Sequence, residues 1–164
     1  MDFDENCICY DPKREILARE ISKMLFDGKE SENQPFFHNA AADIVSKVIL
    51  HFLRQASLSQ DTSKLNNYYL ANFLQRTTYK DLLSILKDPA NPDFFGARDY
   101  IRGDDGQSQG VLSFIKEMAS DLLVGVFGGF RGKDYEKKQF SIRDMVKKGK
   151  SDLLFIEYDI AGAK

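Results

Sequence analysis

Pro35-Phe-Phe-His-Asn-Ala-Ala-Ala-Asp-Ile-Val-Ser-Lys-Val-Ile-Leu-His-Phe-Leu-Arg54 is the stretch on which the fold turns. Phe37, Ala40, Ala41, Ile44, Val48 and Phe52 recur at helical spacing, and Val45, Ile49 and Leu53 widen the stripe they make. Asn39, Asp43, Ser46, Lys47 and Arg54 take the other side. Pro35 suits the first helical position, where its missing N–H has no partner to lose. A stripe this broad needs neighbours on more than one side, so the segment predicts the central helix of an all-helical domain.

The neighbours follow on both sides. Towards the N-terminus, Ile16, Leu17, Ile21, Met24 and Leu25 share a face between Pro12 and Phe26, and Gly28 stops the helix. Towards the C-terminus the chain turns polar from Ala56 to Lys64, which reads as a loop. A short helix follows through Tyr69, Phe73 and Leu74. Thr78 with Asp81 three residues on approaches a capping box and opens a helix carrying Leu82, Leu83, Ile85 and Leu86, stopped by Pro89. Asn91 and Pro92 supply an N-cap and first-turn residue for a helix ending near Gly103. A longer one starts near Gln107 or Ser108, with Val111, Leu112, Ile115, Met118, Ala119, Leu122 and Val126 on one side, and breaks at Gly128-Gly129. Ser141, Asp144, Lys147, Lys148 and Gly149 mark the ends of a seventh helix. The fold class expected is all-α, a compact bundle of about seven helices.

Leu153–Tyr158, LLFIEY, is too short for a helix and has the composition of a buried strand. A lone strand leaves its backbone groups unpaired, and the only partner in the chain is Asn6–Tyr10, NCICY. Either the two pair across one side of the bundle, or they are stubs of a larger sheet outside the chain. Residues 1–164 thus read as one helical domain, with 1–11 and 152–164 as boundary segments.

Composition narrows the function classes. The 164 residues have a formal net charge of -2, so no global field draws the chain to nucleic acid. Cys7 and Cys9, one residue apart, suit neither a zinc knuckle nor a disulfide framework and read as free thiols in a reducing compartment. No secretory signal and no apolar run near the roughly 20 residues that span a bilayer are present, and a cytoplasmic location is expected.

Motifs that invite chemistry are incomplete. Gly106-Gln107-Ser108-Gln109-Gly110 matches the G-x-S-x-G pattern of hydrolase elbows, but no strand precedes it, and Ser108 as an N-cap explains the same residues. His38 and His51 lack ligand spacing, and no metal or other cofactor is expected. Gly128–Lys133 is glycine-rich without the order of a phosphate loop. The chain is therefore expected not to be an enzyme. One electropositive cluster remains as a candidate contact for nucleic acid or a partner: Arg131, Lys133, Lys137, Lys138 and Arg143, with Phe130, Tyr135 and Phe140 between them. Asp134 and Glu136 dilute its field, and a solvated loop is the competing reading.

Three segments together resemble the all-helical domain of type IV secretion coupling proteins, the hexameric ATPases of conjugative transfer. They are Pro35–Ala41 opening the long helix, Gly110-Val111-Leu112-Ser113, and Phe140-Ser141-Ile142-Arg143-Asp144 followed by Leu154-Phe155-Ile156. The resemblance spans about Pro35 to Asp159. It implies a domain inserted into a nucleotide-binding domain, whose chain re-enters the ATPase sheet through a short helix and strand of the last kind. It also implies recognition of relaxase, effector protein or single-stranded DNA, at the cytoplasmic face of the bacterial inner membrane without direct membrane contact. ATP and Mg would belong to the parent ATPase alone. The competing expectation is a free-standing helical interaction or regulatory domain.

Overall fold

The structure, a computed structural model, describes residues 13–26 and 35–122. The chain divides into two compact units, Met1–Gly129 and Phe130–Lys164, and every described residue lies in the first. The described part is mostly helical, with five α-helices and one 3-10 helix in the order α1 (Lys13–Phe26), α2 (Pro35–Ser59), α3 (Asn67–Arg76), α4 (Tyr79–Leu86), the 3-10 helix (Pro92–Tyr100) and α5 (Gly106–Leu122). The seventh helix expected at Ser141 and the strands expected at Asn6–Tyr10 and Leu153–Tyr158 lie outside the described residues.

The 25 residues of α2 make a rod of about 37 Å at 1.5 Å per residue. α1, α4, α5 and the 3-10 helix all pack on it. Surrounded in this way, α2 is buried well beyond its apolar stripe, and Ser46 and Lys47, expected on its polar side, are buried too. Both are accommodated locally. The Ser46 hydroxyl donates to the carbonyl of Asp43 at 2.6 Å. The Lys47 ammonium lies 3.9 Å from the Asp43 carboxylate and 5.6 Å from the Phe94 ring centroid, a cation over an aromatic face.

The loop expected from Ala56 begins later, because α2 runs on to Ser59. Gln60 then takes a left-handed conformation with φ of 54°, and the N–H of Asp61 reaches back to the carbonyl of Ala56 at 3.2 Å. This is the six-to-one closure of a Schellman turn, made here without glycine. Asn66 caps α3 by accepting from the N–H of Tyr69 at 2.8 Å. The capping box of α4 forms as the spacing predicts. The Asp81 carboxylate accepts from the N–H of Thr78 at 2.8 Å, and the Thr78 hydroxyl accepts from the N–H of Asp81 at 3.3 Å.

The segment after Asn91 winds as a 3-10 helix, not an α-helix. Its buried residues, Phe94 and Ala97, are three apart, the period at which 3-10 side chains eclipse. Asn91 makes no side-chain cap there, since its amide is bound elsewhere. In α5 the expected face is the buried one, with Val111, Leu112, Ile115, Met118 and Ala119 all in the core. Its N-cap is Asp105, whose carboxylate accepts from the N–H of Ser108 at 2.7 Å, so Ser108 is the third helical residue and not the cap.

α1 departs furthest from expectation. Its core-facing residues are Ala18, Ser22 and Phe26, with Leu25 partly buried, while Ile16, Leu17, Ile21 and Met24 are exposed.

Candidate functional site

The basic cluster Arg131, Lys133, Lys137, Lys138 and Arg143 lies outside the described residues, as do Cys7 and Cys9. Three features of the described part bear on function: the serine motif, a polar latch around Arg54, and the exposed face of α1.

Ser108 is fully buried. Its hydroxyl accepts from the N–H of Arg102 at 3.1 Å and of Gly103 at 3.4 Å, so it ties the preceding turn to the start of α5. Gly110, the last residue of the motif, has a packing role. A Cβ at this position would sit 2.5 Å from Cε1 of Phe37, so only glycine lets α5 pass that ring at its present distance. The elbow-like pattern thus serves to tie a turn to the start of α5 and to allow close approach of Phe37.

His38 and His51 stand 13 residues apart on α2, which places them about 20 Å apart along its axis. They cannot share a ligand. The Nε2–H of His38 donates to the carbonyl of Phe26 at 2.5 Å, satisfying an acceptor at the open end of α1, and its ring meets that of Phe26 edge-on. The Nδ1 atoms of both histidines are buried and have no hydrogen-bond partner among the described residues. Burial pushes the His51 imidazole below its ordinary value, with Arg54 adding to the effect and Asp88 opposing it. No group of three His, Cys, Asp or Glu residues suited to a metal occurs among the described residues.

Arg54 joins three elements. Its Nη2 donates to Glu15 of α1 at 2.9 Å and to Asp93 at 2.8 Å, and its Nη1 donates to the other Asp93 oxygen at 2.8 Å and to Asn91 at 2.7 Å. The guanidinium lies over the Phe94 ring at 4.7 Å from its centroid. Its hydrogen bonds hold the Asp93 carboxyl below the usual range. A cleft of about 410 Å³ opens beside it, lined by Gln55, Leu58, Ala90, Asn91 and Asp93. With its donors engaged by two carboxylates and an amide, this arginine is a structural tie and not an anion receptor.

On a flank of α1 beside its core-facing side, Leu17, Ile21 and Met24 form an exposed apolar row. Ile21 also lines a cleft of about 190 Å³ with Ile49, Phe52, Leu53, Leu65 and Leu70. Lys64, Asn66 and Asn67 complete the lining of this cleft, so the surface is apolar with a polar edge. Sequence periodicity set Ile16, Leu17, Ile21, Met24 and Leu25 on one face, of which only Leu25 packs against the core.

Comparisons with protein-family models, with curated proteins and with solved structures find no match.

Proposed function

We propose that this chain is the substrate-recognition helical domain of a type IV secretion or conjugation coupling ATPase, docking relaxase, effector protein or DNA without catalysing a reaction itself. The sequence resemblance carries this reading, and one packing contact is compatible with it. Two segments of that resemblance, Pro35–Ala41 and Gly110–Ser113, lie about 70 residues apart in the chain, yet meet where the Phe37 ring passes Gly110 and stacks on Phe114. In the proposed parent, a hexameric ATPase, nucleotide and Mg would be bound by parts other than this domain.

The test is a titration of the full chain with the relaxase of the same conjugative element and, separately, with single-stranded DNA of about 30 nucleotides at low and moderate salt. Saturable relaxase binding is expected. DNA binding is expected to be weak, to fall steeply as salt rises, and to weaken when Lys137 and Lys138 are both changed to Glu. Absence of binding to both probes at low salt refutes the proposal. DNA affinity unchanged in the double variant removes the basic cluster from the site. The exposed apolar row of α1 favours a second reading, a helical interaction domain that acts on its own.

A further inference from the structure

We infer that α1 is a self-association helix, and that its exposed row, Leu17, Ile21 and Met24, binds the same row on a second copy of this chain. The inference is independent of the coupling-ATPase reading.

The starting point is an inversion of the usual amphipathic rule. α1 turns Ala18 and Ser22 to the core and leaves Leu17 45%, Ile21 46% and Met24 74% exposed. Phe26 anchors the C-terminal end of α1 in the core and Leu25 packs beside it, but along the two turns before them the core contact is made by small side chains, so the larger apolar residues of those turns are left for another surface. The three residues lie within an arc of about 60° on the helix, at the four-then-three spacing of a helix-pairing seam. Ile16 is also exposed, at 61%, but stands about 80° beyond Met24, with Lys13 and Glu20 between them on the helical projection. It is outside the seam.

Area favours a second copy as the occupant. At these exposures the three side chains leave on the order of 350 Å² of apolar surface in water, and the lip of the cleft beside Ile21 adds to it. A standard interface takes about 800 Å² from each partner, a little over half of it apolar, so roughly 450 Å² is needed. The row and the cleft lip supply most of that amount on a single face. The row is also self-complementary under a two-fold axis, as an isologous contact requires. Antiparallel pairing centred near Ile21 sets Leu17 of each copy opposite Met24 of the other. The flexible Met24 side chain, the most exposed of the three, can then reach the cleft lined by the other copy's Ile21 and Phe52.

Sedimentation equilibrium of the full chain tests this. The wild type should be a weak dimer with a dissociation constant of roughly 10 to 100 µM, as suits a small apolar contact. Leu17→Glu and Met24→Glu should each raise that constant at least about tenfold, because either puts a charge in the seam. Ile16→Glu should leave it unchanged. All three positions are exposed, so circular dichroism should show the fold retained. As an independent readout, Ile21→Cys in a Cys7→Ser, Cys9→Ser background should oxidise to a disulfide-linked dimer, and Ile16→Cys should not. A wild type that stays monomeric to about 500 µM overturns the inference, leaving the row to a different partner. So does an Ile16→Glu effect as large as that of Met24→Glu, which would mean general stickiness, or equal cross-linking at positions 16 and 21.

Discussion

Replacing Gly110 by Ala sets two opposing effects against each other at one atom. Gly110 lies inside α5, where helix propensity alone favours Ala by about 1 kcal/mol. The added methyl, however, would lie 2.5, 2.9 and 3.0 Å from Cε1, Cδ1 and Cζ of Phe37. Carbon atoms prefer about 3.5 to 4.0 Å, so the ring has to withdraw by about 1 Å. It has little room to do so. Phe36 meets it edge-on at 5.4 Å between centroids, and Phe114 stacks on it at 6.2 Å. Overfilling a packed site costs about 1 to 3 kcal/mol, so a net loss of up to about 2 kcal/mol is expected despite the better helix former. Urea unfolding followed by circular dichroism at constant m-value measures it. Gly106→Ala is the control, since nothing lies within 4 Å of its added Cβ, and it should not lose stability. Phe37→Leu combined with Gly110→Ala should be less destabilised than the two single changes predict, by about 1 kcal/mol of coupling. A Gly110→Ala midpoint at or above the wild type would refute the close-approach account of this glycine.

Arg54→Met should cost about 2 to 3 kcal/mol in the same assay, because Asp93, Asn91 and Glu15 lose their shared donor, and Arg54→Lys should recover only part of it. The same change should flatten the acid limb. Asp93 titrates below its ordinary 3.8 in the folded chain, so its contribution is present above that value and is lost as pH falls through the depressed one. His51 acts at higher pH. Its folded value lies below 6.5, so the folded state binds fewer protons than the unfolded chain, and stability declines as pH falls from 6.5. His51→Gln should flatten the profile of melting temperature from that point downward, and an unaltered slope would refute the assignment.

Most helices were legible because their signals are local. The face of α5 and the Thr78–Asp81 capping box depend on residues within one or two turns of each other, and both form as their spacing predicts. The errors arise where a long-range contact or an unusual residue decides. α2 outran its expected end because its stop is Gln60 in a left-handed conformation, which composition does not announce as glycine would. Asn91 looks like a cap, but Arg54, 37 positions earlier, takes its side-chain oxygen. The 3-10 winding after Pro92 follows from burying Phe94 and Ala97 together, which requires knowing what lies beneath them. Of the candidate site, Ser108 and Gly110 were visible as a motif, whereas their roles, one capped by Asp105 and tied to the preceding turn, the other giving way to Phe37, depend on residues outside it.

The orientation of α1 shows most directly what periodicity leaves out. A repeat of apolar residues says that a helix has an apolar face, without saying which neighbour covers it. Rotation about the α1 axis is set by polar anchors on one side: Glu15 bound to Arg54, and the Phe26 carbonyl bound to His38. Ala18 and Ser22 fall on that same side and are small enough for α1 to lie close on α2. Turning α1 by about 100° to bury Leu17, Ile21 and Met24 would break both anchors and force larger side chains into a narrow contact. The fold therefore keeps its hydrogen bonds and leaves the apolar row in water. That choice gives the row its meaning, because its exposure follows from specific bonds made elsewhere on the same helix.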